Sequence, residues 1–167
     1  TIVVPYPYQC EKSGINLPQK QCDVIWYEKE LTLGHCADVM LVTFQSVDYK
    51  TTVFVNGKYV TTHEGGYDMF SADVAPFVTE GKNKITLRVE DTMSIDQIRG
   101  KQRWRKDSFT CFYTETSGIV RDVYLELLDR DHIRDFVLRA DYAGKTLTAE
   151  LAAPAGTEFT LTLKDAD

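Results

Sequence analysis

The chain has 167 residues, a net charge of −6 and 43% hydrophobic residues, enough for one domain and part of another. The acidic balance argues against non-specific nucleic-acid binding, and an aromatic content of 11% separates it from disordered tails. No stretch approaches the roughly 18 consecutive apolar residues of a membrane-spanning helix, and no charged-then-apolar signal peptide opens the chain.

The first residue is Thr1, which reads as a processed end or as a piece of a longer protein. The compartment stays open between cytoplasmic and, after removal of a signal peptide, secreted or periplasmic. Residues 1–21 hold three prolines and no sustained period, so an extended, turn-rich entry is expected. Residues 26–33 read as a strand, with Tyr27, Leu31 and Leu33 on one side and Trp26, Glu28, Glu30 and Thr32 on the other. A loop over residues 34–38 leads into the central region.

The central region, residues 40–89, organises the rest. Met40, Val42 and Phe44 are set against Thr43 and Gln45, the period of a half-buried strand. Residues 51–55 are β-branched and aromatic and stop at Asn56-Gly57, whose two positions suit the positive φ of a tight hairpin. Residues 58–62 form the expected return strand. Residues 70–78 are a compact connection around Asp73 and Pro76, and Gly81-Lys82-Asn83 is read as a turn into the alternating strand of Ile85, Leu87 and Val89. Val53, Val55, Leu87 and Val89 are expected in the core. Residues 90–109 are the least regular part. Strand character returns over 118–127, where Ile119, Val123, Leu125 and Leu127 share a face. Short strands separated by turn signals, with no helical period of ten residues or more, indicate an all-β sandwich.

Charges at residues 128–131 mark a boundary, dividing the chain into domains 1–129 and 130–167. Residues 133–142, 146–151 and 159–163 read as three further strands. They are too few for a sandwich of their own. Either they open a second domain or they complete the first sandwich.

No familiar catalytic pattern stands out. GxSxG is missing, and His35, His63 and His132 stand apart as surface or packing residues. Gly65-Gly66 is not followed by the lysine and hydroxyl of a phosphate loop. Cys10, Cys22, Cys36 and Cys111 form no CxxC or metal-type spacing; three disulfide connectivities are open to them, and reduced structural cysteines are the expectation, since a chain this long can build a core without bridges. No cofactor or metal is indicated. In the basic stretch of residues 99–106, an extended backbone would place Arg99, Lys101, Arg103 and Arg105 on one face and Gln102 and Trp104 on the other. A solvated loop, a nucleic-acid stripe and a substrate-facing loop are the three readings of it.

The order of Val4-Pro5-Tyr6-Pro7, Val24-Ile25-Trp26-Tyr27, Val55-Asn56-Gly57, His63, Gly65-Gly66-Tyr67, Phe70, Asp73-Val74 and Gly81-x-Asn83 resembles the N-terminal sugar-binding domain of glycoside hydrolase family 2. Arg99-Gly100-Lys101-Gln102 and Phe112-Tyr113-Thr114 through Ser117-Gly118-Ile119 and Asp122-Val123 continue the likeness. The family contains β-galactosidases, β-glucuronidases and β-mannosidases. The resemblance implies a jelly-roll β-sandwich of the galactose-binding type, followed over residues 130–167 by the cut-short start of an immunoglobulin-like sandwich. It implies a glycosidase as the parent chain, acting in carbohydrate metabolism, whose two catalytic glutamates lie on a β/α barrel beyond these residues. Such enzymes need two carboxyl groups about 5 Å apart, and none of the 25 acids here matches a catalytic motif. The domain would buttress the barrel and wall its active site, with glycoside as substrate and the barrel as partner. No nucleic-acid or membrane partner is expected, and the oligomeric state stays open.

Within the resemblance, residues 91–109 face the barrel. Trp104 would stack on a sugar, Arg99 and Gln102 would hydrogen-bond to hydroxyls or to barrel loops, and Asp96 would supply an acid. One departure bears on the substrate. Well-known members carry an aspartate six residues before the glycine of the closing motif, where this chain has Phe112. Asp91, Asp96 and Asp107 are nearby substitutes, and the sugar is left open. Two other readings remain: a free-standing carbohydrate-binding module using Trp104, Tyr67 and Tyr113 as its aromatic platform, and a purely structural or interaction sandwich. Because the barrel is absent, residues 91–109 are expected to have few contacts of their own.

Overall fold

The computed structural model describes residues 1–164. They divide into two compact units, Thr1–Leu127 and one that begins at Leu128. The first unit is built from nine strands: β1 (Val24–Leu33), β2 (Val39–Phe44), β3 (Val47–Asp48), β4 (Lys50–Val55), β5 (Lys58–Glu64), β6 (Phe70–Asp73), β7 (Gly81–Glu90), β8 (Gly118–Ile119) and β9 (Val123–Leu128). One sheet has the order β1-β7-β4-β5, a second β6-β2-β9, and β3 pairs with β8.

Alternation explains which side chains meet. In β4, Thr51, Val53 and Val55 are fully buried while the residues between them stay partly exposed. Antiparallel pairing sets Val53 opposite Leu87 and Val55 opposite Ile85. Met40, Val42 and Phe44 of the facing sheet are at most 2% exposed and join the same cluster. Burial of each such valine or phenylalanine contributes about 1.5–3 kcal/mol. The four core residues expected from the sequence are all buried.

The hairpin forms as its sequence requires. Asn56 and Gly57 have φ of 51° and 77°, between Val55 and its partner Lys58. Asn56 also ties the turn to β7: its Nδ2 donates to Asn83 Oδ1 at 2.9 Å, and its Oδ1 accepts from Lys84 N at 2.9 Å. A Cβ at residue 57 would meet no atom within 4 Å, so the cost of a larger residue there is conformational. Gly57→Val is expected to lower stability by about 1–2 kcal/mol, the penalty of a left-handed L-residue. An unchanged thermal midpoint would refute the turn's role.

Three expectations need correction. Gly81, Lys82 and Asn83 lie in β7, paired with Leu33, Thr32 and Leu31. The buried Asn83 amide bonds the Thr79 backbone through both its oxygen and its nitrogen. Residues 70–73 form a strand paired with β2, not merely a connection. Finally, residues 159–163 are not a strand: the described residues of the second unit contain one hairpin, β10 (Asp135–Asp141) with β11 (Thr146–Ala152). Alternation in Phe159, Leu161 and Leu163 leaves them 55–81% exposed, because no strand among the described residues pairs with them. On the hairpin, Phe136, Leu138 and Leu147 are also exposed.

Candidate functional site

Residues 91–117 run from the end of β7 to the start of β8, and their geometry is set by charge rather than by apolar packing. Asp91, 2% exposed, accepts hydrogen bonds from Arg99 Nη2 at 3.1 Å and Lys20 Nζ at 3.2 Å, and from the Ser117 hydroxyl at 2.5 Å. Arg99 within the loop and Ser117 at its end are thus tied to the carboxylate at its start. Burying three charges together is tolerated because each is paired and hydrogen-bonded.

A second ion pair lies further along. Arg103 Nε donates to Glu115 Oε2 at 2.5 Å and its Nη2 to Oε1 at 3.3 Å. Glu115 is 1% exposed and also accepts from the Lys20 backbone N–H at 2.8 Å. Burial pushes the Glu115 carboxyl up, but the hydrogen bonds from Arg103 and the backbone, with the Arg103 charge, outweigh it and hold it below the usual range. The same pairing raises Arg103.

Gln102, 3% exposed, makes the third anchor. Its Nε2 donates to Asp48 Oδ2 at 2.8 Å, and its Oε1 accepts from Thr116 N at 2.7 Å. Tyr67 donates through its hydroxyl to Arg99 O at 2.8 Å. The backbone doubles back, with Arg103 N donating to Tyr113 O at 2.8 Å and Tyr113 N to Lys101 O at 3.1 Å. The closing glycine has no room for a side chain: at Gly118, φ is 86° and an added Cβ would lie 1.9 Å from the Tyr27 hydroxyl.

This arrangement corrects the sequence reading of the loop. Arg99, Lys101, Arg103 and Arg105 do not share a face: Arg99 and Arg103 are buried in ion pairs, while Lys101 and Arg105 are exposed. Nor is the loop poor in contacts of its own. Arg99 and Gln102 commit their hydrogen-bonding groups inward, so in this structure they shape the loop. Asp91 is locked among cations and does not face solvent. Asp96 is exposed and bonded to Ser94, whose Oγ donates to Asp96 Oδ2 at 3.1 Å.

Trp104 stands edge-to-face with Phe109 and Phe112 at centroid distances of 5.0 and 4.5 Å, and Arg105 lies over Phe109. It remains 37% exposed, while Tyr67 and Tyr113 are each more than half exposed. Ile95, Gln97, Arg99, Gly100, Gln102 and Trp104 line a shallow open depression of about 230 Å³. Ile95 and Ile98 stand 79% and 74% exposed above the buried network.

An aromatic row that the sequence reading missed lies elsewhere. Trp26 stacks on Phe54 at 6.2 Å, and Tyr59 meets Phe54 edge-on at 6.2 Å. The alternation places Trp26 on the side of its strand opposite Tyr27, Leu31 and Leu33, but only the pairing of β1, β7, β4 and β5 lines the three rings up. Tyr59 stands edge-on, so the row is a cross-strand packing feature and makes no flat platform. His63 stacks on Phe70 at 4.2 Å, a packing role. All four thiols are free. Among the described residues no group of three or more His, Cys, Asp or Glu residues could hold a metal ion.

The comparisons with known proteins agree with this geometry. The family model for the sugar binding domain of glycosyl hydrolases family 2 matches residues 2–128. A putative beta-glucuronidase of Formosa agariphila is 33% identical over 112 residues, which are 66% of this chain and 13% of that protein. A beta-galactosidase of Streptococcus thermophilus is 26% identical over 137 residues, 81% of this chain and 12% of that protein. Among solved structures, a beta-glucuronidase from an uncultured Clostridium has a TM-score of 0.67 at 24% identity, covering 91% of this chain and 27% of that one. The beta-glucuronidase of Ruminococcus gnavus has a TM-score of 0.63 at 21% identity, covering 81% and 25%. The structural likeness establishes a shared fold. The chain spans about an eighth of the length of these curated relatives.

Proposed function

Because this chain belongs to glycosyl hydrolase family 2 and carries that family's sugar-binding domain, we propose that it serves a longer glycosidase as a non-catalytic sandwich that walls the active site. One observation carries this reading. Residues 91–117 are fixed from beneath by two buried ion pairs and a buried glutamine, yet their upper surface presents Ile95, Ile98 and Trp104 to solvent. A loop held this firmly, with uncovered apolar residues on top, suits docking against another domain. In this role Trp104 and Asp96 border the substrate, and Arg99 and Gln102 position the loop from below. The hairpin β10–β11, with its exposed apolar residues, is the opening of an immunoglobulin-like domain in the same reading.

Glycoside hydrolysis needs an acid and a nucleophile flanking one bond, each held within about half an ångström. Among the described residues the buried carboxylates are Asp48, Asp91 and Glu115, and each is committed to internal partners. Purified residues 1–167 should therefore show no turnover of aryl β-galactosides, β-glucosides, β-mannosides or β-glucuronides above a buffer blank. Binding of free sugar should be millimolar, roughly −4 kcal/mol, since one wall of a pocket gives few contacts. Turnover that vanished on replacing one of the chain's own glutamates would overturn the reading.

A further inference from the structure

Residues 91–117 contain three arginines, and the structure uses them in two different ways. Arg99 and Arg103 are buried, each matched to a carboxylate, Asp91 and Glu115. Arg105 is exposed. Its guanidinium lies over aromatic rings, 4.7 Å from the centroid of Phe109 and 6.0 Å from that of Trp104, and among the described residues no carboxylate pairs with it. The rings hold one another in place: Phe109 stacks on Phe112 at 5.0 Å, and Trp104 meets both edge-on. With Phe112 in this cluster instead of an acid, nothing at the tip of the loop neutralises the cation. Lys101 and Lys106 are exposed too, against Asp96 and Asp107 as the exposed acids of the loop. This locally positive balance stands on a chain whose net charge is −6.

We propose that Arg105 is a specificity-determining residue that reads an anionic substituent, a carboxylate or a sulfate ester, on the glycan bordering Trp104. The inference rests on the reading of this chain as a wall of a glycosidase active site. Its chemistry follows from how the guanidinium is held. Ring contact fixes the group through its flat face and spends none of its N–H donors. Those donors lie in the plane of the group, in a fork that matches the paired oxygens of a carboxylate or sulfate. Position supplies the sugar: Trp104, which the guanidinium touches, also lines the depression of about 230 Å³. A sugar laid against the exposed part of Trp104 therefore carries its substituents alongside Arg105. In open water such a contact is worth little. Between this loop and a second domain water is thinned out, and the attraction between opposite charges grows as the local dielectric falls. A neutral glycan in the same place offers the guanidinium no charge to meet.

The test uses the polypeptide of the whole reading frame and two matched pairs of aryl glycosides. A β-glucuronide against a β-glucoside probes the carboxylate, and a 6-sulfated β-galactoside against the plain β-galactoside probes the sulfate. The readout is the ratio of kcat/KM for the charged member to that for the neutral member of a pair. Arg105→Gln is expected to lower this ratio about 10- to 100-fold in one pair, the range for a hydrogen bond to a charged group, and the pair affected identifies the anion. Arg105 is exposed and bound only through ring faces, so the variant keeps its fold. A ratio unchanged in both pairs overturns the inference. So does an equal fall in Lys58→Gln, which removes a charge beside the Asn56-Gly57 turn, because the effect would then belong to net charge alone. Turnover whose ratio ignores Arg105 rejects this inference and leaves the proposed function standing. If none of the four glycosides is turned over, the proposed function fails for these sugars, and calorimetric binding of the two charged glycosides to the same polypeptides decides the inference separately. Binding weakened by the same factor in Arg105→Gln supports it, and equal binding overturns it.

Discussion

Replacing Arg103 by methionine should cost the sandwich about 3–5 kcal/mol, the usual loss when one partner of a buried ion pair is removed. The loss is large because of what stays behind. Glu115 is 1% exposed, and with Arg103 gone it keeps only the Lys20 backbone N–H as a partner from another residue at 2.8 Å. Burial then dominates, and the carboxylate must either remain charged without a counterion or take up a proton. The urea midpoint of the single variant should fall at neutral pH, with a deficit that shrinks as pH is lowered and Glu115 protonates. A double variant, Arg103→Met with Glu115→Leu, should recover much of the loss, since an apolar pair of similar volume is often as stable as a buried ion pair. If the single variant unfolds at the wild-type midpoint, the ion pair does not anchor residues 91–117.

The elements legible in the sequence are those whose own side chains reveal their environment. β2, β4 and β7 alternate, and Asn56-Gly57 specifies its turn by backbone conformation alone. β3 escaped notice because its two residues are a strand only by pairing with β8. Residues 159–163 failed in the opposite sense: alternation tells which face a strand would bury, not whether a neighbour exists to bury it. The basic stretch failed because alternation implies a shared face only along an extended backbone, and here Gln102 N turns back onto Arg99 O. The partners of the buried charges are more remote still. Gln102 and Asp48 lie 54 residues apart and Lys20 and Asp91 71 apart, so only the folded chain joins them. Trp104 enters the site reading only through the family resemblance, since charge and aperiodicity alone do not distinguish a substrate-facing loop from a solvated one.

The second large effect is expected from pH and rests on Asp48. Its carboxyl is 5% exposed, and a Cβ added at Gly66 would lie 2.6 Å from its Oδ1, so water has little access on that side. Burial pushes its pKa up from the ordinary 3.8 to about 6; the Gln102 hydrogen bond lowers it, the nearby Asp91 charge raises it, and Arg99 and Lys20 lower it without cancelling the burial. A raised acid in the folded state means that folding holds the proton more tightly than the unfolded chain does. Between pH 4 and pH 6 the folded protein therefore binds more protons, and stability falls as pH rises through that window. The full difference, reached near pH 7, is about 3 kcal/mol, from about 1.4 kcal/mol for each tenfold change in proton affinity. Asp48→Asn keeps an oxygen to accept from Gln102 Nε2 and removes the ionisation. Its stability relative to the wild type should be near zero at pH 4 and should rise to about 3 kcal/mol in the variant's favour by pH 7. The contribution of Glu115, whose carboxyl is held low, has the opposite sign and falls away only as pH drops below its ordinary 4.5. It is common to both proteins and cancels in the comparison. Denaturation curves for the two proteins that run parallel from pH 4 to 7 would show that Asp48 is not the buried, reluctant carboxylate described here.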